Sequence, residues 1–247
     1  WHNFGGEYVI IGDLVVGKLN THCRLTIDPG TIANFDNSCV LQIGKYEHYL
    51  QNFGGELYAE GTHDSLIVFK AWSNVTGGWD GIYFHDYSDS FGATSSLKYC
   101  VVKEAAVNNI YCNATNQPSF DHVALMSSGE NGIRLNDASP YLKLCQIINN
   151  DSLGVFLTGN SHPVIGDTAG FGCDLHGNGN YDVYNSTNQH IYARSNYWNN
   201  TDSATIAGRI YDYFDNTSKG IVEFMPFATS SWFTNDAPAN FSLLTPE

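Results

Sequence analysis

Apolar residues recur along this chain in a spacing that neither a helix nor a simple strand would produce. Leu97, Cys100 and Val102 stand at positions 0, +3 and +5. The same triplet returns at Phe120, Val123 and Leu125, and again at Leu142, Cys145 and Ile147, after shifts of 23 and 22 residues. Cys173 and Leu175 continue its last two positions after a shift of 28. A second, alternating pair follows each triplet: Ile110 and Cys112, Ile133 and Leu135, Val155 and Leu157, then Val183. It moves by the same 23, 22 and 28 residues. Two ladders sharing one set of shifts predict two strands per repeat, with each repeat stacked on the last. One such coil cannot bury its apolar side alone, but a stack shares a continuous core. Pro118, Pro140 and Pro163 open successive coils, where the missing N–H does no harm. Asn109, Gly132 and Gly154 precede the second strands. The expected fold is all-β: a single-stranded right-handed parallel β-helix, a solenoid, with a short C-terminal cap.

The pattern is most regular over residues 95–185. Before that, Leu25 and Ile27 alternate, a turn at Asp28-Pro29-Gly30 follows, and Ile32 and Phe35 resume. Leu57 lies 32 residues after Leu25, about ten longer than a coil, so an inserted loop is expected at 45–54. After Trp198 the period is lost. Ile206, Ile210, Tyr213 and Phe214 stand at helical spacing and predict a short helix or irregular cap. The reading is therefore 1–200 for the coils and 201–247 for a cap and an extended tail.

Composition narrows the function. The chain has 247 residues and a net charge of −14, with only 11 Lys and Arg. Nucleic acid and anionic membranes are poor partners for such a surface. No apolar run is long enough to cross a membrane as a helix. Only 15% of residues are charged, so Asn, Ser, Thr and Gly must build the surface. The chain begins at Trp1 with neither Met nor leader, as expected of a processed, secreted product. Sequons at Asn74, Asn113, Asn150, Asn185, Asn199, Asn216 and Asn240 are candidate glycosylation sites. The competing reading is that Asn and Ser/Thr are simply frequent in turns.

Several segments resemble bacterial and archaeal secreted surface proteins with right-handed parallel β-helix repeats of the pectin-lyase-like kind. They are CRLTIDPGTIANF (23–35), GELYAEGTHDSLIVF (55–69), GGWDGIYF (77–84), PYLKLCQIINNDSLGVFL (140–157) and ARSNYWNN (193–200). The resemblance spans roughly residues 8–227. It implies the fold and an extracellular location, while the fold itself hosts lyases, hydrolases, adhesins and structural proteins.

Candidate chemistry is sparse. Hydrolases of this fold need clustered carboxylates, and lyases need a base; neither signature is found. The weak catalytic candidates are Lys98, Asp121 and Lys143, which share one outward position of three successive coils, together with Arg134. An exposed charge ladder is the simpler reading of the stack. His122, within a strand, reads as structural. Asp174, Asn178, Asn180 and Asp182 crowd into one Gly-rich stretch and form a candidate calcium site, though such runs are common in plain turns. No other cofactor is expected. Trp72, Trp79, Tyr83 and Tyr87, with Tyr46 and Tyr49, are candidate glycan-stacking residues or loop packing. Cys145 and Cys173, one coil apart, are close enough for a disulfide or serve as buried thiols. The leading expectation is an extracellular structural or adhesive protein that self-assembles head-to-tail, because no helix precedes Tyr8 to cover the first coil. A glycan-binding module and a polysaccharide lyase or hydrolase are the alternatives.

Overall fold

A computed structural model describes residues 1–47, 51–88, 90–115, 118–167 and 170–233, without the side chains of 46, 47 and 51. The tail from 234, with Asn240, and Tyr49 lie outside the described residues. The protein is all-β, with two large, mainly parallel sheets and, among the described residues, one short α-helix.

The strands stack in three columns. The first runs through His22–Ile27, Gln51–Glu60, the leading half of Ser96–Lys103, the leading half of Ser119–Met126, Tyr141–Lys143, Val164–Ile165, Ile191–Tyr192 and Val222–Glu223. The second holds Glu7–Ile10, Ile32–Phe35, Ile67–Ala71, the trailing halves of the same two long strands, Gln146–Ile148 and Asp174–His176. Because Ser96–Lys103 and Ser119–Met126 serve both columns, these two, with Lys18–Leu19 and Lys45–Glu47 paired antiparallel to Gln51–Glu60, form one 15-stranded sheet. The third column is an 8-stranded sheet of its own: Leu14–Val16, Val40–Ile43, Gly81–Phe84, Asn108–Asn113, Asn131–Asn136, Leu153–Thr158, Tyr181–Asn185 and Ile210–Tyr211.

The register follows the sequence ladders. Leu97 pairs with Phe120 and Phe120 with Leu142; Val102 pairs with Leu125, Leu125 with Ile147 and Ile147 with Leu175. Ile110, Ile133, Val155 and Val183 pair in succession in the second sheet. All are buried in one continuous core. The odd +3 step now has a cause. Between the inward Leu97 and Cys100 the chain turns a corner at Tyr99, whose φ is +47°; His122 (+56°) and Leu144 (+49°) occupy the same corner in the next coils. Each such non-glycine residue costs roughly 1 kcal/mol or more, offset by the ladder bonds on both sides. At the next corner stand Glu104, Ser127, Asn149 and Gly177, again with positive φ. Of these only Gly177 adopts that backbone without a Cβ penalty.

Two expectations are corrected. The insertion at 45–54 is a strand pair rather than a loop: Lys45–Glu47 runs antiparallel to Gln51–Glu60, with Lys45 opposite Phe53. The parallel pairing also does not stop at 200. Ile210–Tyr211 pairs with Tyr181–Asn185, and Val222–Glu223 with Ile191–Tyr192, so both sheets continue beyond the helix. That helix is only Ser203–Ala207, capped by the Asp202 carboxylate on the Thr205 N–H and followed by Gly208. Ile206 and Ile210 are buried, whereas Tyr213 and Phe214 face solvent. Ile210 is inward as a strand residue, which imitates helical spacing.

Candidate ligand-binding face

Two groups of outward side chains stand in register along the columns. Lys98, Asp121 and Lys143 do stand in register on the first column. Lys143 Nζ donates to Asp121 Oδ2 at 2.9 Å, and His122 Nδ1 lies 2.5 Å from Asp121 Oδ1. Burial pushes the Asp121 carboxyl up, but hydrogen bonds from His122 and Lys143 outweigh it and hold it below its usual range. Lys98 and Lys143 also sit over aromatic rings, 5.7 Å from the Tyr99 centroid and 4.8 Å from that of Phe171. The His122 ring stacks on Tyr99 at 4.4 Å. Asp121 is thus tied up by its own neighbours, which suits a structural ladder.

Arg134 belongs elsewhere. It lies at the centre of an outward row on the second sheet, where Tyr83, Tyr111, Arg134, Phe156, Tyr184 and Tyr211 pair coil by coil. Six rungs ~4.8 Å apart make a strip of ~24 Å. Every member is half-buried. Tyr83 meets Tyr111 edge-on at 4.6 Å, and Phe156 meets Tyr184 edge-on at 5.6 Å. Tyr184 stacks flat on Tyr211 at 4.2 Å. The Arg134 guanidinium lies between rings, 5.0 Å from the Tyr111 centroid and 5.3 Å from that of Phe156. Burial and neighbouring Tyr111 push the Tyr83 phenol up to about 12, so it remains an O–H donor. Amides flank the row. Asn131 Nδ2 donates to Asn108 Oδ1 at 2.9 Å, Asn136 Nδ2 to Asn113 Oδ1 at 2.8 Å, and Thr158 Oγ1 to Asn136 Oδ1 at 2.9 Å.

Of the aromatic candidates whose side chains are described, only Tyr83 joins this strip. Trp79 is buried: it stacks on Phe35 at 4.5 Å and donates Nε1–H to Lys103 O at 2.8 Å, so it offers no face to a sugar. Trp72 is 52% exposed in a turn, and Tyr87 is half-buried in another. The rest of the row was readable. Tyr111, Arg134, Phe156 and Tyr184 each follow an inward residue of the second ladder and obey the same shifts. Apolar-only ladders pass over them because an arginine interrupts the aromatics.

The calcium candidates do not converge. Asp174 accepts from the Ser231 hydroxyl and from Trp232 N. Its carboxyl is raised to about 6 by burial, against the lowering effect of those two bonds. Asp182 accepts from Arg209 Nε at 3.1 Å and from Asn178 Nδ2 at 2.8 Å. Asn180 bonds Ser152 on the surface. Among the described residues no cluster of acidic, His or Cys side chains suits a metal.

Asn178 belongs instead to a buried amide ladder at the second corner, with Asn109 and Asn150. Asn150 is therefore no glycan acceptor in the folded chain, nor is the buried Asn185, whose amide bonds Gln189 O and Gly220 O at 3.0 Å. Asn74, Asn199 and Asn216 are exposed; Asn113 is half-buried. Cys145 and Cys173 are adjacent but are thiols, as are all six cysteines; Cys145 N donates to Cys173 Sγ at 3.4 Å.

No protein-family model matches this sequence, and no curated protein or solved structure matches it either.

Proposed function

We propose that the chain is a right-handed parallel β-helix of the pectin-lyase-like kind, working outside the cell as an adhesive rod that grips glycans. The observation that carries this reading is the aromatic strip on the second sheet. Its rings and flanking amides repeat at the coil spacing on the outward side of the sheet, and such a surface can lie along an extended sugar chain. The three parallel columns and the resemblance of the coil segments support the β-helix itself. Binding without cleavage is favoured because the most developed charged cluster, Asp121 with His122 and Lys143, is satisfied internally. Retention of the purified protein on immobilised cellulose, mannan and galactan tests the proposal. Tyr111→Ala with Tyr184→Ala should abolish retention while the thermal melt stays cooperative. No retention on any of them, or retention indifferent to those substitutions, overturns it.

A second reading, self-assembly, rests on the first rung. Among the described residues, Glu7–Ile10 and Leu14–Val16 each pair on one side only. Phe4, Ile11 and Val15 beside them are exposed. A second copy presenting Ile210–Tyr211 would continue the parallel pairing of Leu14–Val16 in the third column. Filaments of the native material in electron microscopy support this; a dispersed monomer removes it.

A further inference from the structure

Arg134, at the centre of the aromatic strip, is held unlike the other arginines of the chain. Arg24 pairs with Glu56 at 2.7 Å, Arg194 with Asp167 at 2.6 Å and Arg209 with Asp182 at 3.1 Å. Arg134 has no carboxylate at ion-pair distance and no hydrogen-bond acceptor among the described residues. Acidic partners are not scarce, since 25 Asp and Glu outnumber 11 Lys and Arg. What Arg134 has instead is a ring on either side: Tyr111 on the preceding coil at 5.0 Å and Phe156 on the following coil at 5.3 Å. Such contacts engage the positive charge through the ring faces. They use none of the guanidinium's N–H donors, whose hydrogen bonds lie in its own plane. Nε is the only one of its nitrogens that is enclosed. The side chain is half-buried, so the two terminal nitrogens form its accessible edge.

A guanidinium held between two rings, with its terminal N–H groups free, is the complement of an oxyanion, which it can grip through two parallel hydrogen bonds. The surroundings let an anion approach. The other members of the strip are uncharged rings, and the flanking Asn108, Asn131, Asn113, Asn136 and Thr158 are neutral. Asp137, beyond Asn136, accepts from Asn160 N and Nδ2 at 2.8 and 3.0 Å. The net charge of −14 belongs to the whole chain, and repulsion from charges more than ~8 Å away is largely screened at physiological salt. We infer that Arg134 grips an oxyanion substituent of the bound sugar chain, a carboxylate or a sulfate ester, so that the strip prefers anionic glycans to neutral ones. The inference rests on the strip being the glycan-binding face and names the class of glycan that it selects.

Calorimetry with soluble galactan, polygalacturonate and a sulfated galactan tests it. At least one charged chain should bind about ten-fold more tightly than galactan, and which of them does so separates carboxylate from sulfate. Arg134→Gln should remove the preference. Lys98→Gln combined with Lys143→Gln, on the first column, should leave it in place. If Arg134→Gln does not fold, the wild-type protein still decides: the preferred charged chain should block phenylglyoxal labelling of Arg134, read by mass spectrometry, and leave Arg24 open to it. Equal affinities for galactan and both charged chains overturn the inference while the glycan-binding strip stands. A preference that survives Arg134→Gln, or that disappears with the two lysines, also overturns it, as does labelling of Arg134 that the charged chain does not change. No binding to any of the chains removes the glycan-binding strip, and this inference with it.

Discussion

Asn150 is the residue whose replacement tests the architecture most sharply, because its surface-like sequon conceals an interior role. Its Oδ1 accepts from Asn109 Nδ2 at 3.2 Å and from Ser128 N at 3.1 Å. Its Nδ2 donates to Leu125 O at 3.2 Å and to Asn178 Oδ1 at 2.9 Å. All these groups are buried. Asn150→Ala deletes four hydrogen bonds spanning four successive repeats. At a net ~1 kcal/mol each, with further cost for donors left unpaired, the loss is about 4 kcal/mol. That is a large share of the ~5–15 kcal/mol typical of a domain. Urea unfolding followed by circular dichroism reads it as a lower midpoint at unchanged slope. Asn150→Asp separates hydrogen bonding from packing. It keeps the shape but turns a carboxylate towards Leu125 O and Asn178 Oδ1, so at pH 7 it should destabilise at least as much as the alanine. A loss below ~1 kcal/mol for both variants would refute the ladder as a stabilising element.

Further expectations follow from the same contacts. If the chain is glycosylated, mass spectrometry should find glycans among Asn74, Asn199 and Asn216 and none on the buried Asn150 or Asn185; occupancy at either of those contradicts the packing. Burial raises the folded pKa of Asp174 to about 6 from the ordinary carboxylate value of 3.8, so the fold binds this proton more tightly than the unfolded chain. Its contribution to stability therefore rises as pH falls from above 6 to below 4, by at most ~3 kcal/mol. Other carboxylates such as Asp121 act in the opposite sense, so the difference between wild type and Asp174→Asn at pH 4.5 and pH 8 isolates the effect; equal differences sink it. Burial raises the thiols of Cys100, Cys112 and Cys173, and only Cys23 is not fully buried. Iodoacetamide should label Cys23 in the native protein and the others only after unfolding. Trp79→Ala should cost about 3–5 kcal/mol, as expected for an aromatic lost from a packed core; a change within ~1 kcal/mol would show that Trp79 is not the core residue described.

What could be read from the sequence divides by how many physical constraints each residue obeys. Leu97, Phe120 and Leu142 must be apolar and must keep step with the stack, so their spacing survives as a visible ladder. Tyr99, His122 and Leu144 share a backbone geometry but no single side-chain role. Many residues can be forced into a positive φ by neighbours on both sides, so the corner leaves no residue type to recognise. Asn150 fails for a different reason. Asparagine at a corner satisfies the rule for an exposed turn and the rule for an internal amide ladder equally well. Only the alignment of Asn150 with Asn178, one 28-residue shift away, separates the two. The Asp174–Asp182 cluster misleads in the same way: proximity in sequence is not convergence in space when successive side chains serve different columns. The aromatic strip stands between these cases. Its positions were dictated by the inward ladder, since each member follows a core residue, yet its side chains are free of the core's demand for apolarity. A row of rings that keeps the coil period without that demand, and accommodates an arginine between two of them, calls for a reason outside the core. Cross-strand stacking supplies part of it, at roughly 0.2–1 kcal/mol per pair. A ligand laid along the strip would supply the rest, and that is the ground for proposing glycan binding on this face rather than on the charged first column.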